Sequence, residues 1–329
     1  MLDDRKATIL AALVEDYIDT GAPVSSHTVL ERSGLECSSA TVRNDLVVLE
    51  SDGYVAQPHT SAGRVPTERG YRYYVDHLSP GRLRGATQSQ IESFFSTVQA
   101  ELGRILRETS DLLSDITRYP AIVLGPGLRG LHLRDLHLLG VEPGTALLIL
   151  VTDTGRVHQA VLKGGIACTP SELASVEELL RDHLVGGPIA DDPPAPETDG
   201  LPAPAVGLVT DAMSALAAAA AGGRDIYVGG TSRMVELWAD LAKLHGILSL
   251  VDREAAVALL LDDQEEGTTV RIGPETGVAQ DDLAVVSTPY AVEGSKSRIG
   301  VLGPLRMDYR RTIRVVEEVS EALGETLSG

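Results

Sequence analysis

The chain has 329 residues, of which 43% are hydrophobic and 23% are charged, and its formal net charge is −19. That length and apolar content predict two or three domains with buried cores. No apolar run approaches the ~18 residues that span a bilayer, and residues 1–6 have no signal-peptide profile, so we expect a soluble cytoplasmic protein without a membrane partner. The two cysteines, Cys37 and Cys168, are too few for a disulfide framework and form no metal-ligand pattern.

The N-terminal region begins with three predicted helices. Apolar residues at helical spacing cover residues 3–20, and a short second helix covers residues 25–33. A third helix is predicted over residues 38–53, where Ser38 or Ser39 can accept hydrogen bonds from the free N–H groups of the first turn. Helices of this kind are often only scaffold, so their side chains decide whether they carry a function.

The third helix has two different faces. Val42, Leu46 and Leu49 follow one another at steps of four and three residues, which predicts one buried stripe. Polar side chains suited to contacting DNA lie away from that stripe near the start of the helix: Ser39, Thr41, Arg43 and Asn44. Such side chains read base edges or bind phosphates, so the sequence predicts a recognition helix that enters the major groove.

A β-hairpin is expected directly after this helix. Gly53 can end the helix in the left-handed conformation, and a β-prone arm then turns through residues 59–63 and returns. A wing of this shape would bring His59, Arg64 and Arg69 to the DNA backbone beside the recognition helix.

The net charge opposes DNA binding unless it is unevenly distributed, because duplex affinity depends on cations that replace condensed counterions. Residues 1–85 hold nine Lys and Arg against twelve Asp and Glu, a net charge of −3, and residues 61–85 alone carry +3. A basic strip on an acidic body predicts weak non-specific binding, with specificity coming from base contacts and from two readers acting together. Arg82 and Arg84 fit a solvated linker surface equally well.

One long helix is predicted over residues 91–116, where apolar residues keep a heptad spacing for about three and a half repeats. It fits a dimeric coiled coil, but we favour packing within its own domain because it leads directly into the strand-like residues 121–124. Residues 125–130 match the G-x-G-x-x-G pattern. A dinucleotide site is rejected, since residues 131–141 alternate like a strand where that fingerprint needs a helix.

A small module is predicted in the middle of the chain. Its expected elements are a strand pair at 145–151 and 156–163, helices at 171–184 and 211–221, and a strand at 226–228. Residues 186–207 contain six of the 17 prolines and several acidic residues, which predicts a disordered or exposed loop.

The C-terminal part returns to an α/β pattern. Its expected elements are helices at 235–244 and 253–261, strands at 269–272, 284–288 and 298–302, and a final helix at 308–323. A strand pair followed by a terminal helix is typical of GAF-like sensor domains. Periodicity alone predicts an α+β body with an insertion.

Several segments resemble one known family. The motifs that carry the resemblance lie at residues 16–26, 39–45, 49–55, 59–67, 70–75, 225–232 and 299–309, the most specific being the wing motif HTSAGRVPT. Together they are similar to the HrcA family of heat-inducible transcription repressors. The resemblance implies a homodimer that binds an inverted-repeat operator of double-stranded DNA at heat-shock chaperone genes and is released on heat stress. It also implies the chaperonin GroEL as a partner in folding.

The resemblance further implies an α+β multidomain fold, with an N-terminal winged helix-turn-helix and a GAF-like α/β domain that carries an inserted α+β dimerisation domain. The expected boundaries are 1–78 for the winged helix, 79–87 for a linker, 88–143 and 233–329 for the GAF-like domain, and 144–232 for the insertion with its loop at 186–207.

Catalysis has little support in the sequence. The eight histidines are scattered without a nucleophile or a metal-ligand partner at a useful interval, so we expect no enzyme activity, no metal and no cofactor. The alternative function is a transcriptional regulator gated by a small metabolite that binds the GAF-like domain. Such an effector would stabilise the folded chain by mass action.

Overall fold

The structure of the protein is a computed structural model. It describes residues 2–58, 63–79, 81–98, 101–142, 144–162, 168–222, 225–238, 240–251, 254–261, 266–278, 281–292 and 295–328. Within these residues the chain has a mixed α/β architecture, with sheets of two, five and three strands.

The helices are α1 (Asp4–Thr20), α2 (Ser26–Ser33), α3 (Ser39–Ser51), α4 (Glu68–Asp76), α5 (Gly85–Thr97), α6 (Leu102–Thr117), α7 (Pro170–Leu184), α8 (Ala203–Gly222), α9 (Met234–Leu237), α10 (Leu241–Val251), α11 (Glu254–Leu261) and α12 (Tyr309–Ser328). The strands are β1 (Val55–Ala56), β2 (Val65–Pro66), β3 (Ala121–Leu124), β4 (Leu133–Glu142), β5 (Thr145–Thr152), β6 (Val157–Leu162), β7 (Ile226–Gly229), β8 (Thr269–Ile272), β9 (Ala284–Val292) and β10 (Ser295–Gly303).

The N-terminal unit consists of α1 to α4 and the β1–β2 pair. Its four helices all begin after a residue whose side chain accepts a hydrogen bond from a first-turn backbone N–H: Asp3, Ser25, Ser38 and Thr67. The first two helices end at Gly21 and Gly34, which have φ angles of 65° and 64°. The three helices predicted from the sequence are confirmed, and the cap of α3 is Ser38 rather than Ser39.

An antiparallel five-stranded sheet, in the order β7-β3-β10-β9-β8, forms the centre of the body. Alternate residues of β3 enter different cores, because successive side chains of a strand point to opposite faces. Ala121 and Val123 pack with α5, α6 and α12, whereas Ile122 and Leu124 pack with α9, α10 and α11. The sheet is therefore covered by helices on both faces, and the predicted C-terminal strands and final helix are confirmed.

A second, smaller unit is inserted between β3 and β7. Its antiparallel sheet β4-β5-β6 packs one face against α7 and α8, with Leu148 and Leu150 fully buried. The expected insertion boundaries at 144 and 232 do not match the sheets, since β4 pairs with β5 and β7 pairs with β3. Strand pairing therefore extends the inserted unit back to β4 and ends it at α8.

The prediction of a single helix over residues 91–116 was wrong. The chain is extended at Val98, where α5 ends, and α6 begins at Leu102. Ile91 of α5 and Ile105 of α6 both enter the core of the body, so the apolar face is used within the chain rather than in a coiled coil.

The Pro-rich segment at 186–207 is more ordered than predicted. Ile189 is only 1% exposed, its N–H donates to the Leu131 carbonyl at 2.8 Å, and its carbonyl accepts from Gly130 N at 2.9 Å. Helix α8 then begins at Ala203, before the end of the predicted loop. Tertiary contacts with the start of β4 hold a segment that composition alone marks as disordered.

Helix α8 is apolar along much of its length. Its window Ala203–Ala220 is long and apolar enough to cross a membrane by length and composition alone, and 39% of that window is buried. Leu208, Val209 and Leu216 lie in the core of the inserted unit, so α8 is used here as a core helix.

Candidate nucleic-acid interface

Two kinds of contact, apolar packing and an ion pair, hold helix α3 in place. Val42 and Leu49 are fully buried and Leu46 is 1% exposed, which confirms the stripe predicted from their spacing. At the edge of this stripe Asp45 is 5% exposed and accepts from Arg5 of α1, at 2.8 Å from Nε and 3.1 Å from Nη2. This bidentate ion pair raises the pKa of the Arg5 guanidinium and restricts the orientation of α3 relative to α1.

Arg43 and Asn44 extend from the opposite side of α3. Both are exposed, and within the part of the chain that the structure describes neither side chain makes a hydrogen bond or an ion pair. Their free donors and acceptors stand on a helix that buried packing and the Arg5–Asp45 pair hold rigid. The arrangement is one that can bind a base edge without first breaking an internal contact.

Ser39 and Thr41 are only partly exposed, and each already has a neighbour. Ser39 Oγ lies 3.3 Å from Ser26 Oγ of α2, and Thr41 Oγ1 lies 3.0 Å from the Ser38 hydroxyl. The four predicted α3 residues are thus at one end of one helix, but Ser39 and Thr41 also join the start of α3 to its cap and to α2.

The β1–β2 pair follows α3 as predicted, with Val55 opposite Pro66 and Ala56 opposite Val65. Arg64 lies next to β2, and its backbone forms an antiparallel bridge with Val24 through bonds of 2.8 and 2.9 Å. A Cβ atom at the preceding residue, Gly63, would lie 2.3 Å from the Val24 carbonyl oxygen, so only glycine permits this close approach.

Arg64 points towards α3 and not outwards. Its Nη2 donates to Glu50 Oε2 at 2.9 Å, and the two side chains are 17% and 33% exposed. The geometry favours a role in fastening the hairpin to the end of α3. His59, the third residue assigned to this arm, lies outside the described residues.

Arg69 is exposed beside the hairpin but is held by two contacts. Its guanidinium carbon lies 4.5 Å from the centre of the Tyr54 ring, and its Nη1 donates to the Asp52 carbonyl at 2.7 Å. The side chain is therefore oriented along the end of α3, with guanidinium donors left for another acceptor.

The N-terminal unit is docked on the body through α4. Tyr71 of α4 packs against Tyr309 at the start of α12 with ring centres 6.0 Å apart, and burial raises the pKa of both phenols well above their usual value. Arg72 Nη1 donates to the Val270 carbonyl at 2.6 Å and to Glu275 Oε2 at 3.1 Å. Sequence patterns do not predict this docking surface, because its partners lie about 200 residues apart along the chain.

The remaining candidate motifs have structural roles. The residues after the G-x-G-x-x-G match enter β4, which confirms that no helix follows it. Arg156 of the inserted unit donates to the carbonyls of Pro126 and Gly127 at 2.6 and 3.1 Å, so these two carbonyls are occupied by the protein itself. Among the described residues no group of three or more His, Cys, Asp and Glu side chains could hold a metal ion.

Comparison with known proteins identifies similar chains over the full length. Residues 103–313 match the family model described as HrcA protein C terminal domain. The protein named Heat-inducible transcription repressor HrcA from Moorella thermoacetica is 37% identical, with 99% of this chain and 98% of that protein covered. The protein of the same name from Mycobacterium sp. (strain KMS) is 38% identical with the same coverage. A solved structure described as a hypothetical protein at 2.2 Å resolution is similar with a TM-score of 0.64 and 26% identity, covering 100% of this chain and 99% of that one.

Proposed function

Because this chain belongs to the HrcA family and is a heat-inducible transcription repressor, we propose that its N-terminal unit is a winged helix-turn-helix that reads double-stranded DNA. The observation that carries this proposal is the pair Arg43 and Asn44, which are exposed on the rigidly held α3 and have no hydrogen-bond or ion-pair partner among the residues that the structure describes. Arginine pairs with guanine and asparagine with adenine in the major groove, so these two side chains are suited to base readout.

The neighbouring residues have supporting roles in the proposal. Ser39 and Thr41, at the N-terminal end of α3, would contact phosphates and fix the register of the helix on the duplex. His59 and Arg69 would contact the backbone beside it. Arg64 would act mainly by holding the wing against Glu50, since that ion pair already occupies its outer nitrogen.

The repressor is proposed to act as a homodimer on an inverted-repeat operator, because a two-fold symmetric protein presents one reader to each half-site. The five-stranded sheet with helices on both faces supports a GAF-like assignment for the body, and the unit from β4 to α8 would serve for dimerisation. Within the described residues its helices pack on one face of the β4-β5-β6 sheet, and on the other face Glu177 and Arg181 of α7 reach only His137 and Asp135 of β4.

That other face supports a self-association surface. Leu139, Leu147 and Val161 lie directly opposite one another on the three strands, and Val151 lies opposite Val157. Leu139 is 51% exposed and Val157 and Val161 are each 58% exposed. Grouped exposed apolar side chains often mark protein–protein contacts, and pairing of two copies would bury these.

Light scattering at matched concentrations tests the dimer. Val161→Asp would place a charge in the proposed interface, and it is expected to yield monomers, because an unpaired charge is costly to bury. Val235→Asp is the matched control, since Val235 is 64% exposed on α9 outside this face and should leave the mass unchanged. Dimers that survive Val161→Asp would exclude this surface.

DNA reading is tested by operator binding. A footprint on the DNA upstream of the protein's own gene would define the site, and fluorescence titration would compare it with a scrambled duplex. We expect Arg43→Ala to cost about 1 to 3 kcal/mol on the operator and much less on the scrambled duplex. Arg129→Ala removes an exposed arginine of the inserted unit and is the control. Equal losses for both variants on both duplexes would contradict the role of Arg43.

Release on heat stress is proposed to reflect loss of the folded state, with the chaperonin GroEL assisting refolding. The inserted unit supports this view, because its core is separate from that of the body and is built largely from leucine, valine and alanine. Refolding yield with and without chaperonin, read by operator binding, tests it, and equal yields would remove the chaperonin from the model. The names of the relatives do not favour the metabolite-gated alternative.

A further inference from the structure

An arginine-lined pocket lies between the linker that follows α4 and the start of α12. The cavity measures about 480 Å³, and its lining includes Arg82, Arg84, Thr87, Arg310, Arg311 and Arg314. Five guanidinium groups around one cavity are unusual in a chain whose net charge is −19. We propose that this pocket binds a chain of two or more phosphate groups, and that its occupancy controls how the linker is held.

The two linker arginines are available for a ligand. Arg82 and Arg84 are exposed, and no hydrogen bond or ion pair engages their side chains within the described part of the chain. They line the same cavity as the arginines of α12. Nothing in the fold of the described residues therefore requires their charge at this position.

The arginines of α12 have partners, but each keeps free donors. Arg310 Nη2 donates to Glu15 Oε1 of α1 at 3.0 Å, and Arg311 Nη2 donates to the Ile116 carbonyl at 3.0 Å. Arg314 pairs with Glu317 and Glu318 of its own helix. A guanidinium group carries five N–H donors, so these contacts orient the side chains without exhausting them.

One carboxylate, Asp308, also lines the pocket. It caps α12 by accepting from Arg311 N at 3.1 Å, so it is already engaged by the helix backbone. Glu15 pairs with Arg310, and Glu317 and Glu318 pair with Arg314, so the positive charge that no carboxylate offsets within the described residues comes from Arg82, Arg84 and Arg311. The neighbouring Glu15 is the group with which an anionic ligand would compete for Arg310.

The shape and chemistry of the lining select for phosphate chains. Guanidinium forks match phosphate oxygens in pairs, and two separate groups of arginines are best bridged by an extended polyanion. The volume lies within the range of small-molecule sites. No aromatic side chain is among the lining residues that the structure describes, so the pocket offers no stacking surface for a nucleobase.

Binding here would change the connection between the reader and the body. A ligand that bridges Arg82 and Arg84 to Arg310 fixes the linker against α12, and it competes with the Arg310–Glu15 contact that joins α12 to α1. Ligand binding at this pocket would be a regulatory signal separate from heat, and it goes beyond the proposed binding of DNA.

Calorimetry on the full-length protein at about 0.15 M salt tests the proposal, because screening there suppresses diffuse attraction. Inorganic tripolyphosphate should bind saturably with one molecule per protomer, and orthophosphate more weakly. The double variant Arg82→Gln with Arg84→Gln should lose about tenfold or more in affinity, as expected for charge-assisted hydrogen bonds. Arg129→Gln with Arg134→Gln removes the same charge from the inserted unit and should leave the affinity unchanged.

Three results would overturn the phosphate-binding proposal. No saturable binding of tripolyphosphate, or equal losses in the two double variants, would overturn it. Operator titration without polyphosphate is the second measurement, and a loss of DNA affinity in the Arg82/Arg84 variant would overturn it by assigning these arginines to the DNA backbone. ATP identifies the source: affinity equal to that of tripolyphosphate indicates recognition of the phosphate chain alone, and tighter binding indicates a nucleotide.

Discussion

The N-terminal unit and the inserted unit are attached to the body in opposite ways. Buried residues of α1 to α4 belong to the same core cluster as those of α5, α6 and α12, and Tyr71 and Tyr309 meet inside it. The inserted unit has a core of its own, and the guanidinium group of its Arg156 donates hydrogen bonds to the carbonyls of Pro126 and Gly127, in the segment that follows β3.

This difference predicts that the N-terminal unit and the inserted unit unfold in different ways. An N-terminal unit that shares its core with the body keeps a fixed orientation and unfolds together with the body, because disrupting either side exposes the same apolar surface. A unit with its own core can open or refold while the rest stays intact. Heating is therefore expected to open the inserted unit first and to leave the N-terminal unit folded.

The strongest test breaks the shared core. Tyr309→Ala removes a fully buried ring, and we expect it to cost about 3 to 5 kcal/mol in the free energy of unfolding. Hydrogen exchange should show lower protection in both α1 and the five-stranded sheet. Tyr309→Phe is the control, since it keeps the ring and removes only the hydroxyl bond to the Leu305 carbonyl, at about 1 kcal/mol. Unchanged protection in α1 would show that the two cores are independent.

A core truncation in the inserted unit should have a more local effect. Leu148 is fully buried between the three-stranded sheet and its helices, and Leu148→Ala is expected to cost about 2 to 4 kcal/mol. Protection against hydrogen exchange should fall in β4 to β6 while α1 to α4 keep their protection. Val185→Ala, at the end of α7 in the same unit and 37% exposed, should cost much less folding stability. A drop in protection of α3 with Leu148→Ala would refute the separation.

A smaller effect is expected at the docking contact of α4. Arg72→Gln removes the ion pair with Glu275 and weakens the bond to the Val270 carbonyl, at a cost of about 1 kcal/mol because both side chains are partly solvated. Arg129→Gln, whose partner Asp191 lies on the surface of the inserted unit, should change stability by less than about 0.5 kcal/mol. Chemical denaturation of the two variants compares the sites, and identical midpoints would argue against a contribution from the docking contact.

The smallest effect concerns pH and the inserted unit. Burial lowers the pKa of His158 in β6, so the folded protein binds this proton less readily than the unfolded chain. The stability that depends on neutral His158 is present above the unfolded value of about 6.5 and falls as the pH drops below it. Thermal unfolding between neutral and mildly acidic pH measures this dependence. The slope should become shallower in His158→Gln, and an unchanged slope would assign it to other groups.

Local patterns predicted the elements well where caps and periodicity agree. Residues 25–33 and 38–53 folded as expected because Ser25 and Ser38 satisfy first-turn donors while Val42 and Leu46 supply a buried stripe. The prediction of a single helix over 91–116 was wrong, because a heptad spacing does not indicate where a helix is interrupted, here at Val98. The insertion was expected to start at residue 144, but β4, which precedes that residue, pairs with β5 of the inserted unit. Which sheet a segment joins depends on its strand partner, and a sequence pattern does not show that partner.

The candidate interface was predictable in part. Spacing alone distinguished exposed Arg43 and Asn44 from the buried stripe of α3, since helical geometry fixes which residues share a face. The inward turn of Arg64 to Glu50 was not predictable, because both orientations of an arginine fit the same sequence pattern. The role of Asp45 as the partner of Arg5 was also missed, since a charged residue within a helix more often faces solvent.

The amino-acid sequence by itself determined most of the helices and strands, the polar face of α3 and the family, because caps, periodicity and motifs act over short stretches of chain. Only the tertiary structure decided that the N-terminal unit shares a core with α12 and that the inserted unit has a core of its own. It also decided that the linker arginines line the same pocket as those of α12. The physical reason is that these arrangements depend on contacts between residues far apart in the chain, and a one-dimensional pattern carries no record of which distant surfaces pack together.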